Sequence, residues 1–244
     1  WFNAGFNECY NVGNRGGESA EMVTPHVLDW LERNGEKDNW MMHVHYWDPH
    51  TPYRTPADYE NHFDGTSLPD DWITEEIFRE HLLHIGPHGA NEINMWNDDT
   101  FAQWPKHPGK LTSLEDARHF LNLYDDGIRY TDDNIGQIIG WLKDHGLYDD
   151  DLAVIITADH GEDLGEFGVY GEHGMADEPV CRIPLIIKWP GMQKGTVAKG
   201  FHDNTDLAPT VQELLQTPMF MGNRYHYDGT SFAETLRSGK DCAK

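Results

Sequence analysis

The chain has 244 residues, with 42 acidic against 18 basic side chains and a formal net charge of -24. This length buries enough surface to hold a core without disulfide or metal staples, and 38% hydrophobic with 12% aromatic residues argues against disorder. The negative field disfavours nucleic acid and anionic lipid as general partners, and no apolar run is long enough for a membrane-spanning helix.

Cys9, Cys181 and Cys242 are too few and too scattered for a disulfide framework or a CxxC zinc site. Trp1 stands where an initiator Met is absent, so a processed chain or a piece of a longer one is expected. An anionic substrate would need something local to overcome the acidic field, and a divalent cation is the simplest device.

Thr24-Pro25 reads as a helix start, Val27, Leu28 and Leu31 as its apolar stripe, and Asn34-Gly35 as its stop. Residues 39–47 read as a buried strand running into the loop Asp48-Pro49-His50-Thr51-Pro52-Tyr53, where two prolines forbid a continued ladder. A loop-rich insertion at about 54–112 follows, with one helix from about Asp71 to Leu83; its length and place suit a binding loop better than a core element. Ser113 caps the strongest helix, whose stripe includes Ala117, Phe120, Leu121, Tyr124, Ile128, Ile135, Ile138 and Leu142, and His145-Gly146 ends it. Two continuous apolar runs, 152–158 and 183–189, read as strands buried on both faces, and a helix spans about 207–215 before the Asp228-Gly229 turn. The expected class is α/β: one domain, residues 1–244, with a largely parallel sheet flanked by helices.

In such folds ligands gather outside the carboxyl ends of the strands. One predicted strand end carries Asp48, His50 and Tyr53; the other carries Asp159-His160-Gly161-Glu162. A carboxylate and an imidazole adjacent at a strand terminus can reach one cation, with Gly161 permitting the turn and further ligands coming from elsewhere. The glycine-rich stretch 165–174 adds His173. His43 and His45 share one strand face and read as satisfied core polar groups, Asp48 as an acceptor for loop amides, and the Asp pairs as solvated surface and caps.

Thr157-Ala158-Asp159-His160-Gly161-Glu162, then Gly171-Glu172-His173-Gly174, then Arg182-Ile183-Pro184-Leu185-Ile186-Ile187-Lys188-Trp189-Pro190-Gly191 resemble the C-terminal signature of the sulfatase family in the alkaline phosphatase superfamily. The stretch 45–53 resembles that family's upstream strand and loop, Asp206-Leu207-Ala208-Pro209-Thr210 its late helix start, and Asp228-Gly229-Thr230-Ser231 the turn after it. The resemblance implies an alkaline phosphatase/sulfatase-like fold in which Asp159 and His160 hold a divalent cation, usually Ca2+. It implies that His50 and His173 are the catalytic histidines, His50 contacting the sulfate group near the leaving oxygen and His173 bordering the pocket, and that Tyr53 and Arg54 line it for substrate.

The family's usual lysine after that last histidine is Glu178 here, and neither Cys/Ser-x-Pro-x-Arg nor an Asp-Asp strand end occurs in this sequence. The resemblance therefore implies an incomplete catalytic domain, partnered by the N-terminal half of the same enzyme. Its expected activity is metal-dependent hydrolysis of sulfate esters, on a sulfated small molecule or glycan, in an extracytoplasmic location. The insertion is expected to set specificity. The alternatives are a phosphonate monoester or phosphodiester hydrolase using Mn2+ or Zn2+, and a noncatalytic binding remnant.

Overall fold

The computed structural model describes residues 5–13, 17–53, 55–56, 58–59, 61–65, 68, 73–93, 108–149, 151–217 and 226–241. They form two compact units, one of residues 1–145 with 160–182 and one of residues 146–159 with 183–244. No helix among the described residues is long and apolar enough to cross a membrane.

The first unit is built on α3 (Leu114–Asp144). Its start is a capping box: the Ser113 hydroxyl accepts the Asp116 N–H at 3.1 Å, and the Asp116 carboxylate accepts the Ser113 N–H at 3.1 Å. Ala117, Phe120 and Leu123 then recur on one face and enter a core with Tyr53, Ile73, Phe78, Ala90, Ile93, Leu111 and Tyr170. Four of these, Ile73, Phe78, Ala90 and Ile93, come from the insertion, as does Leu111, so that segment builds the core instead of merely lying over it. Its helix α2 (Glu75–His81) is shorter than the 71–83 expectation and starts where the Thr74 hydroxyl accepts the Ile77 N–H.

Helix α1 (Ala20–Asn34) begins before Thr24-Pro25, with Pro25 inside it. The cap comes from far along the chain: Asp48 Oδ2 accepts the Ala20 N–H at 2.7 Å, placing a carboxylate at a helix N-terminus. Thr24 is instead a buried junction, donating to the Ala20 carbonyl and lying 2.9 Å from both Tyr46 Oη and Asn134 Oδ1 on α3. Residues 40–47 run extended with alternating exposure but are paired to no strand among the described residues. The face bearing His43 and His45 is the exposed one, so the expectation of core histidines fails. Two short strands, β2 (Asp163–Leu164) and β3 (Tyr170–Glu172), pair antiparallel, and α4 (Glu178–Cys181) follows under an Asp177 cap.

In the second unit β1 (Val154–Thr157) pairs with β4 (Leu185–Lys188) in antiparallel register, Val154 opposite Lys188 and Thr157 opposite Leu185. The expected largely parallel sheet is absent among the described residues, and Ile186 is 61% exposed. A continuous apolar run marks a strand but carries no information about the direction of its neighbour, and burial on both faces depends on layers that the run itself does not specify. Helix α5 (Asn204–Leu214) starts with a second capping box, Asp203 with Asp206, and packs with α6 (Ala233–Ser238).

Candidate metal centre

His50 sits on the turn after the extended segment 40–47, fixed by its own N–H to the Trp47 carbonyl at 2.8 Å and by the Tyr53 N–H to its carbonyl at 3.1 Å. The turn is seated against α3 at Gly127, where a Cβ would stand 2.8 Å from the Pro49 Cβ. A glycine inside a helix costs about 1 kcal/mol relative to alanine. Here the missing side chain lets the His50 loop approach the helix.

His160 is held by the residue after it. The Gly161 N–H donates to the Val180 carbonyl at 2.7 Å, and a Cβ on Gly161 would lie 2.1 Å from the Pro179 carbonyl oxygen. Gly161 does not have a positive φ. The glycine is therefore required for close approach of the backbone of α4, not for the turn expected of it.

His173 follows β3, and the adjacent Glu172 folds its carboxylate back onto the chain. Glu172 Oε1 accepts the His173 and Gly174 N–H groups at 2.8 and 2.6 Å. Its Oε2 lies 2.9 Å from His88 Nε2, and His88 is tied to β3 by the Tyr170 N–H donating to its carbonyl at 2.8 Å. Burial pushes the Glu172 carboxyl up, but the two amides and the His88 imidazole outweigh it and hold the group below its ordinary range.

The three imidazoles converge. The rings of His160 and His173 stack at 4.4 Å, His50 lies 4.7 Å from His173 and 6.0 Å from His160, and one ring nitrogen of each lies within 4.8 Å of the others. His50 Nδ1 is 2.7 Å from the Thr51 carbonyl and His160 Nδ1 is 2.9 Å from the Gly161 carbonyl. A carbonyl can only accept, so in each neutral ring Nδ1 carries the proton and Nε2 the lone pair, the arrangement of a metal-ligating histidine. Burial lowers the basicity of His173, and the His50 and His160 rings lower it further. Its Nδ1 faces Glu162 Oε1 at 3.5 Å, and that carboxyl is pushed up to about 8 by burial, then by Glu172 and Asp163.

Of the residues expected at the site, the structure brings His50, His160 and His173 together. Asp159 is exposed and follows β1 in the second unit, its carbonyl 3.4 Å from Asn204 Nδ2. Tyr53 is fully buried, its ring packed edge-on against Phe120 at 5.2 Å and Tyr124 at 5.3 Å, so it fills the core instead of lining a surface open to substrate. Arg54 lies outside the described residues. Glu162, Glu172 and His88 went unnoticed as supports. The carboxylates adjoin the Asp-His-Gly and His-Gly motifs and were open to notice there; His88, in an irregular insertion, carries no local signal.

Glu162 makes stability depend on pH in a defined sense. It keeps its proton up to about pH 8 when folded, against the ordinary 4.5 when unfolded, so across that window unfolding releases a proton and stability falls as pH rises. Glu162→Gln should therefore be little different from the parent near pH 5 and more stable near pH 8. Thermal midpoints of the metal-free chain at both values check this; a difference independent of pH would contradict it.

The Sulfatase family model matches residues 2–217. The chain is 29% identical over 225 residues to the multifunctional alkaline phosphatase superfamily protein PehA of Trinickia caryophylli, covering 91% of this chain and 42% of that one. It is 24% identical over 217 residues to a choline-sulfatase of Rhizobium meliloti, covering 86% of this chain and 38% of that one. Among solved structures it is similar to a phosphonate monoester hydrolase from Silicibacter pomeroyi, with a TM-score of 0.62 at 25% identity over 90% of this chain and 42% of that one. The chain thus spans about two-fifths of the length of these relatives. With a family model covering most of its length and histidine motifs that meet at one point, the chain belongs to the Sulfatase family.

Proposed function

We propose that this chain carries the cation-binding and leaving-group side of the active site of a hydrolase that cleaves sulfate esters, with a sulfated carbohydrate as substrate. The observation that supports it is the convergence of His50, His160 and His173 in a Sulfatase-family chain. A sulfate ester must enter a chain of net charge -24, and a divalent cation supplies the local positive charge that the field lacks.

Imidazole nitrogens of this cluster fit such a cation, and nitrogen donors favour Zn2+ over the oxygen-seeking Ca2+ and Mn2+. His160 and His173 are read as ligands, with Asp159 next to His160 as the carboxylate that the motif adds. When bound, the cation stabilises charge that develops on the ester oxygens. His50 is assigned to the leaving oxygen; with Nδ1 on the Thr51 carbonyl, it gives a proton there from Nε2 only as the imidazolium. The attacking group is none of these residues, and it is assigned to a part of the enzyme contributed alongside this chain. An extracytoplasmic site of action belongs to the same reading.

A phosphonate monoester or phosphodiester is the second reading, favoured by the all-imidazole donor set and by the likeness to a phosphonate monoester hydrolase.

Equilibrium dialysis of the chain against Zn2+, Mn2+ and Ca2+ tests the metal, and His160→Ala and His173→Ala test its ligands. Each substitution should weaken Zn2+ binding by at least about tenfold. Unchanged Zn2+ affinity in both variants would overturn the reading. Calorimetric titration of the metal-loaded chain with sulfate and with phenylphosphonate separates the esters: tighter sulfate supports the first, tighter phosphonate selects the second.

A further inference from the structure

We propose that Asp163 and Asp177 form a second cation site, separate from the histidine cluster, that takes a hard divalent cation of the Ca2+ class and ties together the two ends of the segment carrying His173. Asp163, on β2, is fully buried, and neither of its carboxyl oxygens has a hydrogen-bond partner. The Asp177 carboxyl is close enough to act on it, raising the Asp163 carboxyl by charge and by hydrogen bonding. Asp177 uses Oδ1 to accept the Val180 N–H at 3.2 Å, which leaves a buried Oδ2 also without a partner. Neighbouring carboxylates do not compete for the same place: Glu166 Oε2 accepts the Leu164 N–H at 2.8 Å, and Glu172 is held by His88 and two amides. Both still add negative potential at Asp163.

A buried carboxyl group without a donor is costly, and two facing each other cannot both ionise unless positive charge is supplied. Among the described residues neither carboxyl has a lysine or arginine partner; the nearby Arg182 pairs with Glu178. Without a cation the pair meets this problem by protonation, and burial with Asp177 pushes Asp163 up to about 7. With a cation both groups ionise, three otherwise unpartnered oxygens become ligands, and backbone carbonyls and water complete an oxygen shell of the kind Ca2+ accepts more readily than Mg2+ does. Asp163 opens and Asp177 closes the stretch holding the 3-10 turn at 166–168, β3 and His173, so one ion crosslinks that loop at its base.

The test is Ca2+ binding by equilibrium dialysis, with thermal unfolding, on the whole chain and on His50→Ala/His160→Ala, Asp163→Asn and Asp177→Asn. Asparagine caps helices as well as aspartate does, so Asp177→Asn keeps the α4 start while removing charge. Ca2+ binding at roughly 1 mM or below should persist in the double-histidine variant, weaken at least about tenfold in Asp177→Asn and vanish in Asp163→Asn. Asp163→Asn should also unfold at a higher temperature than the parent in EDTA, having lost a buried unpaired carboxyl, yet show no rise on adding Ca2+. Zn2+ binding should survive in both aspartate variants. Equal Ca2+ affinity in the parent and both aspartate variants, or no Ca2+ binding by the parent, overturns the site. No Zn2+ binding by the parent, with Ca2+ binding intact, counts against the proposed function alone.

Discussion

Gly161→Ala is expected to destabilise the first unit by roughly 3 kcal/mol or more and to abolish metal retention at the histidine cluster. The added methyl would stand 2.1 Å from the Pro179 carbonyl oxygen and 3.2 Å from the Val180 carbonyl oxygen. Both are backbone atoms within α4, so no side-chain rotation relieves the clash. The Gly161 N–H to Val180 carbonyl bond fixes the same approach, and relief requires its loss. His160 and Glu162 flank the substituted residue, so any shift moves a candidate ligand and the carboxyl that faces His173. Urea unfolding and Zn2+ dialysis read the two consequences separately. Gly140→Ala is the matched control: it lies in α3 with nothing within 4 Å of an added Cβ, and it should stabilise by about 0.5–1 kcal/mol. A Gly161→Ala chain within about 0.5 kcal/mol of the parent and retaining Zn2+ would refute the close-approach account.

Asp206→Ala is expected to cost the second unit about 3 kcal/mol. Asp206 is fully buried, yet it serves two separate parts of the chain: Oδ1 accepts the Thr230 N–H at 2.6 Å, and Oδ2 accepts the Asp203 N–H at 3.2 Å as the second half of the α5 capping box. One turn later Thr210 repeats the device, donating to the Asp206 carbonyl and accepting the Phe232 N–H at 3.0 Å. Truncating the carboxylate removes the partner of two partly exposed amide donors and empties a fully buried position, and hydrogen bonds to a charged acceptor are worth about 1.5–3 kcal/mol each. Thr210→Val strands only one and should cost correspondingly less, about 1–2 kcal/mol. Thermal unfolding of the two variants gives the order directly; equal and small losses would show that water satisfies these amides.

The local signals that proved accurate all share short range. The Ser113 cap and His145-Gly146 after a long apolar stripe act within one or two turns, so α3 was readable as it stands, whereas α5 starts at Asn204, ahead of the 207 expected, under the Asp203–Asp206 capping box. The apolar runs at 152–158 and 183–189 located β1 and β4 for the same reason. The α1 start was misplaced because its cap, Asp48, lies 28 residues away, while a local proline offered a competing signal. Tyr53 shows the same limit at the site: a tyrosine in a proline loop is equally suited to solvent or to a core, and Phe120 and Tyr124 on α3 decided for the core.

The sequence by itself determined the long helix α3, the places of the two apolar strands, the acidic field and the family, together with the three histidines its motifs singled out. Those properties rest on neighbours along the chain or on residue identity. Tertiary structure alone decided the antiparallel pairing of β1 with β4, the bracing of His173 by Glu172 and His88, and the meeting of the three imidazoles. It also gave Gly161 its purpose, which is set by a carbonyl 18 residues further along the chain rather than by its own turn. Each of these depends on groups distant in sequence that folding brings within a few ångströms, where hydrogen bonding, steric exclusion and desolvation act.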